Sequence, residues 1–147
     1  TEAERTGFQA SAQRQVVSLG HQASVGEAAY MRTRANYGSG LIHDTLGTLL
    51  CILSEPDLVT RVLAKALSPE TTLVCDVMTP HPQTVGPDMK VSEAVLIMIE
   101  RGFRHLPIVS PADKILGVFS VRDALPREIG DAVSLAEFND QVNDALG

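Results

Sequence analysis

Two stretches, CILSEPD (Cys51 to Asp57) and GVFSVRD (Gly117 to Asp123), each run apolar residues into a Ser with an Asp three positions later, and they lie 66 residues apart. Their neighbours keep the same offset. SVGEAA (Ser24 to Ala29) lies over KVSEAV (Lys90 to Val95), and GLIHDTLGTLLCILSEPDL (Gly40 to Leu58) lies over LPIVSPADKILGVFSVRDA (Leu106 to Ala124) without a gap. A fixed period constrains the fold more than any local propensity, because both copies must build the same unit.

In the second copy Val91, Ala94, Val95, Met98 and Ile99 fall on one stripe of an amphipathic helix, which Gly102 stops. HLPIV (His105 to Val109) and KILGVFS (Lys114 to Ser120) flank the turn PAD (Pro111 to Asp113) and predict a hairpin. A short extended piece, QTV (Gln83 to Val85), precedes them, and a helix is expected from Val121, weakening near Pro126. The first copy reads alike: a helix near Val25 to Ala35, strands SGLIHD and TLLCIL, then a helix from Glu55 to about Leu67. In that last helix Leu58, Val59, Val62, Leu63, Ala66 and Leu67 share one face.

Each copy is therefore β-α-β-β-α, an α/β (α+β) fold of two repeats packed about a pseudo-twofold axis with a cleft where equivalent loops meet. The expected divisions are residues 16–67 for the first repeat, 68–82 for a connector and 83–130 for the second repeat. Residues 131–147 remain for a terminal helix carrying Leu135, Phe138, Val142 and Leu146 at helical spacing.

A net charge of −6 argues against duplex DNA or an anionic membrane as the main partner. Cys51 and Cys75 provide neither metal spacing nor a disulfide framework, which points to a reducing cytoplasm. The opening TEAERTGFQASAQRQ is polar and lacks the apolar core of a signal peptide, and the longest apolar block, AVLIMI, is too short to span a bilayer. His21, His43, His81 and His105 are scattered without the close spacing of a metal site, and MTPHPQTVGP reads as a stiff extended connector that exposes His81. There is no G-x-S-x-G, no local Cys–His pair and no Walker-type phosphate loop.

The repeated Ser and Asp have two readings. As a capping box, Ser54 with Asp57 and Ser120 with Asp123 satisfy the first free N–H groups of the following helix. As a ligand site, the same helix start offers donors to a phosphate while the carboxylate accepts from ribose hydroxyls.

VMTPHPQTVGPDMKVSEAVLIMIERGFRHLPIV followed by KILGVFSVRDAL closely resembles a cystathionine-β-synthase (CBS) domain, through the VMT lead-in, the LPIV strand and the G-h-x-[ST]-x-x-D signature. LLCILSEPDLVTRVLAKAL resembles a more diverged one. Together they look like a stand-alone tandem CBS pair over about residues 16–130.

The resemblance implies a non-catalytic sensor of an adenosine-containing ligand, AMP, ADP or ATP, with S-adenosylmethionine or NADH as further candidates, in a disc-like homodimer that signals to an effector protein. It places Ser120 on phosphate or ribose, Asp123 on the ribose hydroxyls, and Ser54 and Asp57 in the same roles in the first copy. Arg104, His105 and Pro107 would line the base or phosphate region, with Thr84 and Val85 beside the base.

Arg104 and His105 are adjacent in a strand and point to opposite faces, so one of them serves a given site. Arg122 at the helix start can face a phosphate or form a surface ion pair. In the first copy Cys51 replaces the motif Gly, Leu41 stands where the second has Pro107, and a side chain at Cys51 is expected to crowd a close backbone approach. The rival function is a ligand-free dimerisation module, distinguished by whether Met78 and Phe119 fill the cleft beside Ser120.

Overall fold

Each repeat folds into most of the elements its apolar pattern predicts, and each is completed by the segment that precedes the other one. The computed structural model describes residues 4–12, 18–35, 39–54, 58–77, 79–80 and 83–146. In chain order the elements are α1 (Gly7–Ala10), β1 (Ser18–Gly20), α2 (Val25–Ala35), β2 (Ser39–His43), β3 (Leu49–Ser54) and α3 (Leu58–Leu63, wound as a π-helix). They continue with α4 (Val74–Val77), β4 (Thr79–Pro80), α5 (Val91–Arg101), β5 (His105–Val109), β6 (Ile115–Ser120), a 3₁₀ turn (Val121–Asp123) and α6 (Pro126–Leu146). One compact unit comprises Val16–Gln83 with Val109–Ile115. The other comprises Thr1–Gln15, Thr84–Ile108 and Leu116–Gly147.

The first-repeat unit is built on a four-stranded sheet of order β1-β2-β3-β4. β1 runs parallel to β2 with Ser18 opposite Leu41, and β2 runs antiparallel to β3 with Ile42 opposite Cys51. The connector adds the edge strand β4, where Pro80 lies opposite Cys51. An edge tolerates proline because its missing N–H leaves no central ladder bond unmade. Val25, Ala28, Ile42, Cys51, Val62, Val74 and Val77 form the core.

The predicted six-residue apolar face after β3 is interrupted. Ala64 N donates to Val59 O and Leu67 N to Val62 O, five residues back, so the turn is wider than an α-helix and the 3.6-residue register fails. Val62 is buried, Leu58 is half-buried, and Val59 and Leu63 face solvent. Ala66 has left the helix at φ 54°.

In the second-repeat unit Val91, Ala94, Val95 and Met98 of α5 are buried as their spacing predicts, whereas Ile99 is 45% exposed. Gly102 terminates α5 at φ 73°, its N–H bonded to Met98 O, where a Cβ would strain the left-handed backbone. β5 and β6 form the predicted hairpin, and Val85 bridges Ile108 in parallel. Phe119, Leu106 and Ile108 are fully buried in this unit's core.

The helix expected from Val121 is instead a single 3₁₀ turn, and Pro126 begins a helix rather than weakening one. Proline disfavours helical backbone in the residue before it, and its fixed φ suits the first helical position. Glu128 completes the start by accepting from Leu125 N at 2.7 Å. The terminal helix is thus continuous from Pro126, with Ala132 and Glu128 buried and Leu135, Phe138 and Leu146 exposed.

The lead-in segments are exchanged between repeats. In the first-repeat unit Val25 N donates to Thr72 O at 2.9 Å and Val74 N to Ala23 O at 3.0 Å. In the second, Val91 N donates to Arg5 O at 3.0 Å and Gly7 N to Met89 O at 2.8 Å. These bonds correspond, because Val91 and Met89 follow Val25 and Ala23 by the repeat offset. α4 therefore serves the first repeat as α1 serves the second.

Candidate functional site

The second-repeat motif is assembled by one hairpin and one turn. β5 leads away from Arg104 and His105, and β6 returns to end at Ser120, so the hairpin brings the start of one strand beside the end of the other. Val85 N donates to Pro107 O at 3.0 Å, which draws Thr84 and Val85 alongside β5.

Ser120 sits at the N-cap of the 3₁₀ turn in extended backbone, buried. Its N–H donates to Asp123 Oδ2 at 2.9 Å, and its Oγ accepts from Arg122 N at 3.3 Å. The reciprocal capping box read from the sequence is formed, and it aligns the Ser hydroxyl and the half-buried Asp carboxylate at one corner.

The remaining candidates differ in exposure. Arg104 and Arg122 are exposed, His105 and Thr84 are half-buried, and Pro107 and Val85 are buried with their side chains in the hydrophobic interior. Phe119 is fully buried in the core of its own unit. In the first repeat, Ser54 ends β3. The Ser54 side chain, Asp57, Met78 and His81 lie outside the described residues.

Sequence reasoning missed what surrounds this corner. Arg5, from the lead-in, donates from Nη2 to Asp123 O at 3.1 Å and grips Glu128 through Nη2 to Oε1 at 2.6 Å and Nε to Oε2 at 3.1 Å. Such a two-pronged ion pair fixes orientation as well as charge. The Arg5 hydrogen bond holds the Glu128 carboxyl below its ordinary pKa against the opposing effect of burial, and Leu125 N–H assists. A depression of about 410 Å³ opens beside this pair, lined by Glu4, Arg5, Val91, Ser92, Arg127, Glu128 and Asp131; Ser120 does not line it. No local pattern signals a pair separated by 123 residues.

The motif glycine also differs from expectation. A Cβ at Gly117 would meet Ser11 Oγ at 3.6 Å and Phe8 Cδ2 at 3.8 Å, ordinary contacts with side chains rather than a crowded backbone. At the corresponding Cys51 the side chain is buried and its sulfur lies 3.8 Å from Cys75 Sγ. At Gly117 the lead-in helix thus presents side chains, not backbone, to the motif position. In the same unit His43 Nδ1 meets Ser18 Oγ at 2.9 Å. No helix among the described residues is long and apolar enough to cross a membrane.

Residues 74–128 match the family model of the CBS domain. An uncharacterised protein of Methanopyrus kandleri is 32% identical over 117 residues, covering 80% of this chain and 60% of that protein. The chain spans 60% of that relative's length and as little as 14% of others. In fold it is similar to a CBS domain protein from Pyrobaculum aerophilum complexed with AMP, at 23% identity and TM-score 0.77 over 89% of this chain and 99% of that one. It is also similar to the CBS domain pair of protein MJ0100 in complex with 5′-methylthioadenosine and S-adenosyl-L-methionine, at 19% identity and TM-score 0.72 over 82% of this chain and 93% of that one.

Proposed function

The chain is a CBS-domain protein, and we propose that it is a non-catalytic sensor that binds an adenosine-containing ligand, AMP, ADP or ATP, at the second-repeat motif. The observation that carries the reading is the corner at which Ser120 and Asp123 are locked together beside the strand that Arg104 and His105 open. Asp123 accepts from the ribose hydroxyls, Ser120 contacts phosphate or ribose, and Thr84 and Val85 approach the base. Arg104 or Arg122 supplies positive charge for phosphate, His105 donates to it from a ring nitrogen, and the backbone at Pro107 borders the base. Ser54 and Asp57 form the corresponding site in the first repeat. S-adenosylmethionine and NADH share the adenosine group and compete for the same corner. Similar folds carrying AMP, or 5′-methylthioadenosine and S-adenosyl-L-methionine, support this ligand class.

A ligand changes the state of such a module only through unequal affinity for two arrangements. In this reading the chain is a cytoplasmic homodimer, and a separate effector protein reads the change. The capping box itself favours a second reading, a ligand-free dimerisation module, because reciprocal capping already accounts for both Ser120 and Asp123.

Calorimetric titration with AMP, ADP, ATP, NADH and S-adenosylmethionine, repeated with Asp123→Ala, separates the two. The sensor predicts saturable binding that the substitution abolishes while unfolding stability falls by only about 1 kcal/mol. A folded protein that takes up none of the five leaves the ligand-free module as the reading.

A further inference from the structure

The contact between Cys51 and Cys75 has a counterpart in the other unit, and the comparison gives it meaning. Cys51 follows the pattern of Gly117 by the 66-residue offset, and the exchanged bonds of the lead-ins set Cys75 of α4 against Phe8 of α1. In the second-repeat unit, Phe8 and Ser11 cover the motif glycine. In the first-repeat unit the two facing positions both carry thiols, one buried on β3 and one exposed on α4, with sulfurs 3.8 Å apart.

We propose that Cys51 and Cys75 form a reversible disulfide that staples α4 to β3 and closes residues 51–75 into a loop, making the first-repeat unit responsive to thiol redox state. The two sulfurs need to approach by only about 1.8 Å to reach bonding distance. At 3.8 Å the two sulfurs are in contact as thiols and not joined as a disulfide, so the reduced state is the one described. The proposal stands on this contact alone and is independent of nucleotide binding.

The chemistry balances with a low-molecular-weight disulfide as oxidant. The exposed Cys75 loses its proton to solvent and attacks one sulfur of the oxidant, forming a mixed disulfide and expelling one thiolate. Cys51 then loses its proton and attacks Cys75 Sγ, breaking the mixed disulfide and expelling the second thiolate. Two protein thiols are oxidised, the oxidant is reduced to two thiols, and excess thiol reverses both steps. The order follows from access and ionisation: Cys51 is buried, and burial together with the neighbouring Cys75 pushes its thiol up to about 12, so Cys75 reacts first.

The pair borders the first-repeat motif, because Cys51 lies three residues before Ser54 on β3. β3 also carries the edge strand β4, with Cys51 opposite Pro80. Oxidation therefore fixes the lead-in helix against the strand that ends at the motif.

The test incubates the reduced full chain with excess oxidised glutathione at mildly alkaline pH, blocks remaining thiols with N-ethylmaleimide under denaturing conditions, and weighs the intact chain. The proposal expects a monomeric chain that has lost two hydrogens and takes up no maleimide. A digest should contain a Cys51–Cys75 cross-linked peptide, and dithiothreitol should restore two maleimide-reactive thiols. Cys51→Ala should stop at a glutathione adduct on Cys75. Because Cys75 is exposed, Cys75→Ser keeps the fold and should leave Cys51 without an intramolecular bond. A wild-type chain that ends as a stable glutathione adduct, keeps two reactive thiols, or forms disulfides only between chains overturns the proposal.

Discussion

The two repeats share an outline but hold themselves together by different means. The second-repeat unit is closed by an aromatic side chain and an ion pair: Phe119 is fully buried in its core, and Arg5 binds Glu128 across the join with the lead-in. The described core of the first-repeat unit consists of Ala23, Val25, Ala28, Ile42, Val62, Val74 and Val77 with Cys51, and its join with the lead-in carries the cysteine contact. The same element order thus permits one repeat to keep its motif glycine covered by Phe8 while the other places a thiol there. A repeat dictates the backbone path; side-chain volume decides what each copy does with it.

Substitution in the two cores should show the largest contrast. Phe119→Ala is expected to cost about 3–5 kcal/mol in urea unfolding, whereas Ile42→Val in the other unit should cost about 1 kcal/mol. Equal losses would mean that Phe119 has no special part in closing its unit.

Acid should affect the second-repeat unit through Glu128. Its folded pKa lies below the ordinary value, so its contribution is complete above about pH 4.5 and is lost as the pH falls through the depressed folded value. Glu128→Gln should remove that part of the acid sensitivity and lower stability at neutral pH by about 1–3 kcal/mol, because Arg5 loses its charged partner. In the first-repeat unit Asp44 is also depressed, chiefly by the Thr48 N–H with help from that of Leu46, but it is only half-buried, and among the described residues its hydrogen bonds come from backbone N–H groups rather than from a paired cation like Arg5. Asp44→Asn should shift the acid midpoint less than Glu128→Gln does; a larger shift would reverse the comparison.

The smallest effects lie where the backbone turns left-handed. Gly102 ends α5 at φ 73°, and Ala66 follows α3 at φ 54°. Gly102→Ala should destabilise by about 1 kcal/mol, and Ala66→Gly should stabilise by up to about 1 kcal/mol, because only glycine adopts this region without a Cβ penalty. Thermal midpoints moving in opposite directions would confirm the contrast, and a lowered midpoint for Ala66→Gly would refute it.

Much of the second repeat was legible in its sequence. The stripe from Val91 to Met98, the stop at Gly102, the hairpin of His105–Val109 with Ile115–Ser120, and the Ser120–Asp123 capping box all follow from contacts within a few residues. Structure departs from the sequence pattern where distant partners or competing local geometry decide. The apolar face expected over Leu58 to Leu67 requires α-helical winding, which the five-residue hydrogen bonds replace. The helix expected from Val121 is displaced by the restriction that Pro126 places on Leu125, so the long helix begins five residues later. At the candidate site, the Ser120–Asp123 arrangement was readable, but Arg5 and Phe8 enter from the far end of the chain with no periodicity to announce them.

The sequence by itself determined that two like units would form, where their principal helices and strands lie, and how the second motif is capped, because period, amphipathic stripe and capping chemistry act over short separations. Tertiary structure alone decided that each lead-in completes the opposite repeat, that Arg5 meets Glu128, and that Cys51 meets Cys75. Those pairings depend on how folded surfaces exclude water and match shape, which no single stretch of residues specifies.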